Sequence, residues 1–162
     1  MTLEQQKNFD HFFLVLFNQL LVKEEQLIQK KYSVDLTIRE LHVIEAVDTL
    51  SKTGQNTMAC ISKQLFITPG TLTSAVNQLI QKNYLTKHSS PSDKRVVLVE
   101  LTEKGKKGLS AHRFFHKELG RFIQHEIAPD RMDSVLSSLE RVHQTLGEKI
   151  RGISEKEEET LK

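Results

Sequence analysis

With 162 residues, one cysteine and no tryptophan, the chain has the length of a single domain with room for a real core, and nothing from which to build an internal disulfide. Its longest apolar run, Phe12 to Phe17, is six residues, far too short for a membrane span, and MTLEQQKNFD lacks the basic-then-apolar order of a secretory leader. A lone thiol and no leader make the cytoplasm the expected compartment. The net charge of +2 conceals an uneven distribution. Residues 1–56 carry six Lys/Arg against eight Asp/Glu, 57–107 carry eight against three, and 108–162 carry nine against ten. The middle third is therefore where an anionic partner would be met.

The first predicted helix runs from about Glu4 to Lys31, with Phe9, Phe13, Leu16, Leu20 and Leu27 as one stripe and Phe12, Phe17, Leu21 and Ile28 widening it. At about 1.5 Å per residue it is roughly 40 Å long, more than one small lobe can cover, so a partner surface is expected. A second helix opens on the capping box Thr37-Ile38-Arg39-Glu40 and turns Leu41, Ile44 and Val47 inward. SKTGQN is a loop, after which Thr57 caps a short helix with Met58, Ile61 and Leu65 apolar.

A turn at Phe66 and Ile67 leads to the most informative helix, Thr68 to Gln81. Thr68 caps it and Pro69 suits its first position. Leu72, Ala75, Val76 and Leu79 make the buried stripe. Opposite lie Gly70, Ser74, Asn77 and Gln81, flanked by Thr71, Thr73 and Gln78. An ordinary solvated helix face is rich in Lys and Glu, whereas this one is short, polar and uncharged. Asn and Gln pair bidentately with adenine edges, and Thr methyls meet thymine methyls. Strand character at Tyr84–Lys87 and Val96–Leu101, joined by HSSPSDKR, completes a helix-turn-helix with a basic wing. Thr102 then caps a long helix to about Ile127 with Leu109, Phe115, Leu119, Phe122 and Ile123 apolar, IAPD breaks it, and a last helix bears Met132, Val135, Leu136, Leu139, Val142, Leu146 and Ile150.

LTIRELHVIEAV, ITPGTLTSAVNQLIQKNYL, the wing triplet Asp93-Lys94-Arg95 and Leu101-Thr102-Glu103-Lys104-Gly105 resemble the MarR family of regulators over roughly Phe9 to Leu146. The commoner wing triplet has Arg in the middle, so Lys94 keeps the charge and loses the fork geometry. HVIEA, TPGTLT and the His-x-x-x-His pair narrow the likeness to the branch that represses fatty-acid synthesis in Gram-positive bacteria. The implied fold is mainly α with a small β-hairpin wing, as one domain over 1–153. Residues 1–35 and 103–153 would be dimerisation helices, 36–102 the DNA-binding lobe and 154–162 a polar tail. The implied function is a homodimeric repressor on palindromic, double-stranded operator DNA. Long-chain acyl-acyl carrier protein would be its corepressor, and release by a small phenolic or drug-like ligand or zinc-responsive regulation are the alternatives.

The expected base-facing set is Thr68, Gly70, Thr71, Thr73, Ser74, Asn77, Gln78 and Gln81. Lys63, Lys82, Lys87, His88 and Lys94 would meet phosphate, and Arg95 would enter a minor groove with Asp93 orienting its guanidinium. The family keeps effectors between dimerisation helices and reader. Phe13, Phe17, Leu20, Leu41, Phe115 and Leu119 are the apolar candidates for such a pocket, with His42, His112 and His116 at its mouth. The i, i+4 spacing of His112 and His116 also suits zinc, with Glu24, Glu25 or Glu40 near, and satisfied structural histidines are the third reading. No metal or cofactor is assigned. Cys60, without an adjacent His, reads as a small core residue. The glycines stand singly and the carboxylates lie on amphipathic helices, so no nucleophile–base pair or phosphate loop is in sight and an enzyme is not expected.

Overall fold

In the computed structural model of the chain, residues 2–32, 35–90 and 93–160 are described, with side chains described for 2–30, 35–90 and 93–146. Among them run α1 (Leu3–Tyr32), α2 (Ile38–Ser51), α3 (Met58–Gln64), α4 (Pro69–Gln81), β1 (Leu85–Ser89), β2 (Val97–Leu101), α5 (Glu103–Glu126), a 3-10 turn (Pro129–Arg131) and α6 (Met132–Thr160). Pro91 and Ser92 of the wing loop and the side chain of Ile150 lie outside the described residues. The chain forms two compact units, Met1–His116 and Lys117–Lys162.

The first unit holds the core. Leu41, Ile44 and Val47 of α2, Ile61 of α3, Leu72, Val76 and Leu79 of α4, Leu85 and Val99 of the hairpin and Leu109 of α5 are all buried in one cluster. The capping box forms as expected: Thr37 Oγ1 accepts the Glu40 N–H, and Glu40 Oε2 accepts the Thr37 N–H at 2.8 Å. Glu40 is itself buried, and the Lys82 ammonium at 2.8 Å balances its charge. Thr57 and Thr68 cap α3 and α4 by accepting the N–H groups of Cys60 and Thr71.

β1 and β2 pair antiparallel from Leu85↔Leu101 to Ser89↔Val97. Only Leu85 and Val99 are buried, so the base of the hairpin is anchored and its far end stands in solvent. The first strand begins one residue later than expected and extends two further. Tyr84 stays out of it because its N–H donates to the Leu79 carbonyl at 2.8 Å; its phenol donates to Asp35 Oδ1 at 2.5 Å and its ring packs where Gly108 leaves room. That carboxylate and burial hold the Tyr84 phenol well above its usual pKa, burial being the larger cause.

The Leu-Thr-x-x-Gly segment has a physical reading. Thr102 Oγ1 donates to the Asn83 carbonyl at 2.7 Å and accepts the Gly105 N–H at 3.0 Å, capping α5 while tying it to the end of α4. A Cβ on Gly105 would lie 2.3 Å from the Tyr84 carbonyl oxygen. Glycine is needed there because the two backbones approach that closely.

In the second unit Met132 and Val135 of α6 are half-buried, while Leu136, Leu139, Val142 and Leu146 are all exposed. α6 runs to Thr160, so residues 154–160, expected as a polar tail, are helical. Their Glu- and Lys-rich sequence has neither Gly nor Pro to interrupt a helix.

Candidate nucleic-acid interface

The two faces of α4 separate as the periodicity requires. Leu72, Val76 and Leu79 are buried and Ala75 half-buried, whereas Gly70, Thr71, Thr73, Ser74, Asn77, Gln78 and Gln81 are exposed. No charged side chain occurs anywhere between Pro69 and Gln81. Two of the exposed hydroxyls have local partners. Thr73 Oγ1 donates to the Pro69 carbonyl at 2.8 Å, and Thr68 and Thr71 share a hydrogen bond of 2.9 Å. Gln78, Gln81 and Ser74 offer donor and acceptor groups outward. Asn77 Oδ1 accepts from the Lys87 ammonium at 3.1 Å, which binds the helix to the first strand of the wing and fixes the amide's orientation.

The turn before α4 has an unexpected feature. Phe66 has φ 54° and is 91% exposed, a left-handed conformation that costs a bulky side chain energy. It lets Leu65 end α3 while the Ile67 N–H reaches back to the Ser62 carbonyl. The wing is pinned from behind by Asn56. This buried amide donates to the Val99 carbonyl at 2.8 Å, and the Val99 N–H donates to the Asn56 carbonyl at 3.0 Å. Its isolation in a polar loop gave no sequence signal beyond an Asn before a helix cap.

Three expected roles change. Lys82, expected on phosphate, spends its ammonium on Glu40 and on the Asp35 carbonyl, at 2.8 and 2.9 Å, because a buried carboxylate requires a cation. Asp93, expected to orient the Arg95 guanidinium, instead accepts the Arg95 backbone N–H at 2.9 Å. It shapes the wing turn, as Asp does two residues ahead of a donor. Leu41, expected in a pocket wall, is fully buried in the reader core. His88 sits 3.5 Å from Glu100 across the hairpin, while Lys63, Lys94 and Arg95 are exposed.

The effector candidates divide. Phe9, Phe13 and Phe17 stack along α1, with ring centroids 4.5 and 5.8 Å apart, and Phe17 is 58% exposed. Leu20 and Phe115 are half-buried in the first unit, and Leu119 is half-buried in the second. His42, His112 and His116 do come together, with Glu24 on α1 and Glu45 on α2. Of the carboxylates considered, Glu24 belongs to this cluster, Glu25 accepts from Gln29, and Glu40 holds Lys82. Glu45 was not foreseen, although its place three residues after His42 puts both on one helix face. Burial pushes the His112 imidazolium down, and hydrogen bonds to Glu24 and Glu45 more than reverse it, leaving the pKa raised. His42 is lowered by burial and by the charge of His112.

A cavity of about 550 Å³ opens beside α4, lined by Arg39, His42, Leu65, Thr71, Ser74 and Gln78 among others. It shares three polar residues with the exposed helix face.

Residues 23–111 match the family model "Transcriptional regulator SarA/Rot", more than half of the chain. The chain belongs to the SarA/Rot family of transcriptional regulators. The HTH-type transcriptional regulator SarZ of Staphylococcus haemolyticus is 25% identical over 81% of this chain and 84% of its own length. The uncharacterized HTH-type transcriptional regulator YvnA of Bacillus subtilis is 25% identical over 62% of this chain, a match spanning 64% of YvnA. Among solved structures, Streptococcus pneumoniae FabT in complex with DNA superposes with a TM-score of 0.78 at 29% identity, covering 88% of this chain and 98% of FabT. The MepR–DNA complex of S. aureus shares the fold, with a TM-score of 0.71 at 18% identity over 85% of this chain and 96% of MepR. This SarA/Rot regulator thus has the MarR-type winged-helix fold, that of DNA-binding transcription regulators. Among its described residues no helix is long and apolar enough to cross a membrane.

Proposed function

We propose that this regulator is a homodimeric, sequence-specific repressor that reads palindromic operators with α4. The supporting observation is the charge-free exposed face of α4, rigidly backed by Leu72, Val76 and Leu79 and flanked by Lys87. Thr71, Ser74, Asn77, Gln78 and Gln81 read base edges, Lys63, Lys87 and Lys94 hold phosphates, and Arg95 enters the minor groove. The exposed apolar residues of α1 and α6 supply the twofold interface, which sets two α4 helices about one helical turn, ~34 Å, apart.

The regulated process is fatty-acid synthesis, with long-chain acyl-acyl carrier protein as corepressor. This reading rests on the likeness to FabT, and the aromatic ladder Phe9–Phe13–Phe17 offers apolar surface of the kind an acyl chain would cover. It is tested by gel shift on DNA upstream of the host's fatty-acid synthesis genes, with palmitoyl-acyl carrier protein or the unacylated carrier added. Tighter binding with the acylated carrier alone is expected. Equal binding with both removes the corepressor, and no binding to those fragments removes the gene assignment.

The cavity beside α4 favours one alternative input. A small aromatic acid could pair with Arg39 there and cover Thr71, Ser74 and Gln78, coupling its occupancy directly to DNA release. Displacement of operator by salicylate at millimolar concentration, abolished in Arg39→Ala, is the result that would favour it.

A further inference from the structure

We propose that Arg39 of α2 holds a DNA phosphate on the flank of α4 opposite Lys87, so that a cation from outside the recognition helix grips the backbone strand on each side of it. The inference rests on the reading of α4 as the helix that enters the major groove, and it adds a contact from another element. That groove is about 12 Å wide and a helix with its side chains is about 10–12 Å across, so a helix lying in it has a phosphate strand along each side. α4 carries no charge between Pro69 and Gln81, and its neighbours must supply the cations. Around the helix, Thr73 and Asn77 lie to one side of Gly70, Ser74 and Gln81, while Thr71 and Gln78 lie to the other. Lys87 serves the first side, where its ammonium is 3.1 Å from Asn77 Oδ1. On the second side lies the cavity of about 550 Å³, which Arg39 lines together with Thr71, Ser74 and Gln78. Among the described residues of that lining, Arg39 is the one lysine or arginine.

Three observations mark this guanidinium as kept for something outside the chain. Arg39 is exposed, and among the described residues no carboxylate pairs with it. Its neighbour Glu40 is buried and takes Lys82 at 2.8 Å, and Lys52 of the same helix is held by Asp48 at 3.1 Å. Second, Arg39 is the second residue of α2, in the turn where the helix dipole favours acidic side chains and disfavours a cation. The capping box of Thr37 and Glu40 already closes that helix end, so the side chain, not the terminus, is the anion-binding group. Third, a planar guanidinium matches two phosphate oxygens at once, and the exposed Ser74 and Gln78 beside it add neutral donors. The carboxylate of a small aromatic acid has the same chemistry for this fork. Such a ligand would release DNA by taking the phosphate's partner, and the test separates the two.

The test compares full-length wild type, Arg39→Ala, Arg39→Lys and Asn77→Ala on the protein's selected operator and on random duplex, in salicylate-free buffer over a salt series. Arg39→Ala should keep its circular dichroism spectrum, weaken both duplexes about tenfold and lower the slope of log affinity against log salt by about one. Arg39→Lys should keep the slope and lose part of the affinity, because it retains the charge without the fork. Single methylphosphonate linkages walked through the operator then locate the contact. Neutralising one position per half-site should weaken wild type and leave Arg39→Ala no weaker than before. Unchanged affinity and slope in folded Arg39→Ala would overturn the proposal, even if salicylate release depended on Arg39. So would methylphosphonate effects that all persist in Arg39→Ala. Asn77→Ala keeps the two readings apart. An operator-specific loss there beside a silent Arg39→Ala removes Arg39 alone, whereas equal losses on both duplexes remove α4 as the reader and the groove geometry on which Arg39 depends.

Discussion

The reader and the long terminal helices spend their apolar residues in opposite ways. Between Leu36 and Val99 most large apolar side chains are buried in one core or packed against it, Phe66 and Val97 being the large exposed ones among the described residues, and the surface of α4 is polar. α1 exposes Phe9, Phe12, Leu14, Phe17, Leu21 and Val22, and α6 exposes Leu136, Leu139, Val142 and Leu146. Monomeric proteins rarely leave so many large apolar side chains of one helix in water. The reader buries its own apolar residues; in the proposed homodimer a second chain covers those of the terminal helices. Recognition and assembly are therefore separable in this molecule, and substitutions should be able to damage one without the other.

The largest effect should come from the assembly side. Leu136→Glu with Leu139→Glu places charge on the exposed α6 stripe and should yield monomers by light scattering. Losing the second, linked half-site should cost operator affinity roughly 10²–10⁴-fold, while circular dichroism stays helical. A dimer with full affinity would break the comparison. Next comes the reader's internal fit. Gly105→Ala drives a Cβ against the Tyr84 carbonyl and should cost about 1–3 kcal/mol in urea denaturation. On the recognition surface, Lys87→Ala should lower the slope of log affinity against log salt by about one on both duplexes, and weaken operator more than random DNA because it also releases the Asn77 amide. The smallest effect sharpens the contrast with Gly105. A Cβ on Gly120 meets nothing within 4 Å, so Gly120→Ala should stabilise α5 by roughly 0.5–1 kcal/mol.

What could be read beforehand was what neighbours in sequence decide. The two faces of α4, the caps at Thr37, Thr57, Thr68 and Thr102, and the hairpin all follow from spacing within a dozen residues. What escaped was long-range pairing. Lys82 finds Glu40 across 42 positions and His112 finds Glu45 across 67, and nothing local announces either partner. A lysine at the end of a recognition helix looks the same in sequence whether it holds phosphate or a buried carboxylate. Asp93 illustrates the opposite error, since its nearest partner proved to be backbone two residues on, not a guanidinium. Leu41 was misplaced because periodicity tells buried from exposed, but not a core position from a pocket wall.

The central claim, that the uncharged face of α4 reads bases, is best tested by measuring Asn77→Ala against wild type on the protein's selected operator and on random duplex of equal length. The account predicts a loss of about 1–3 kcal/mol on operator, little change on random DNA, and relaxed preference at one position of each half-site. Equal losses on both duplexes, or an unaltered preference, would contradict it.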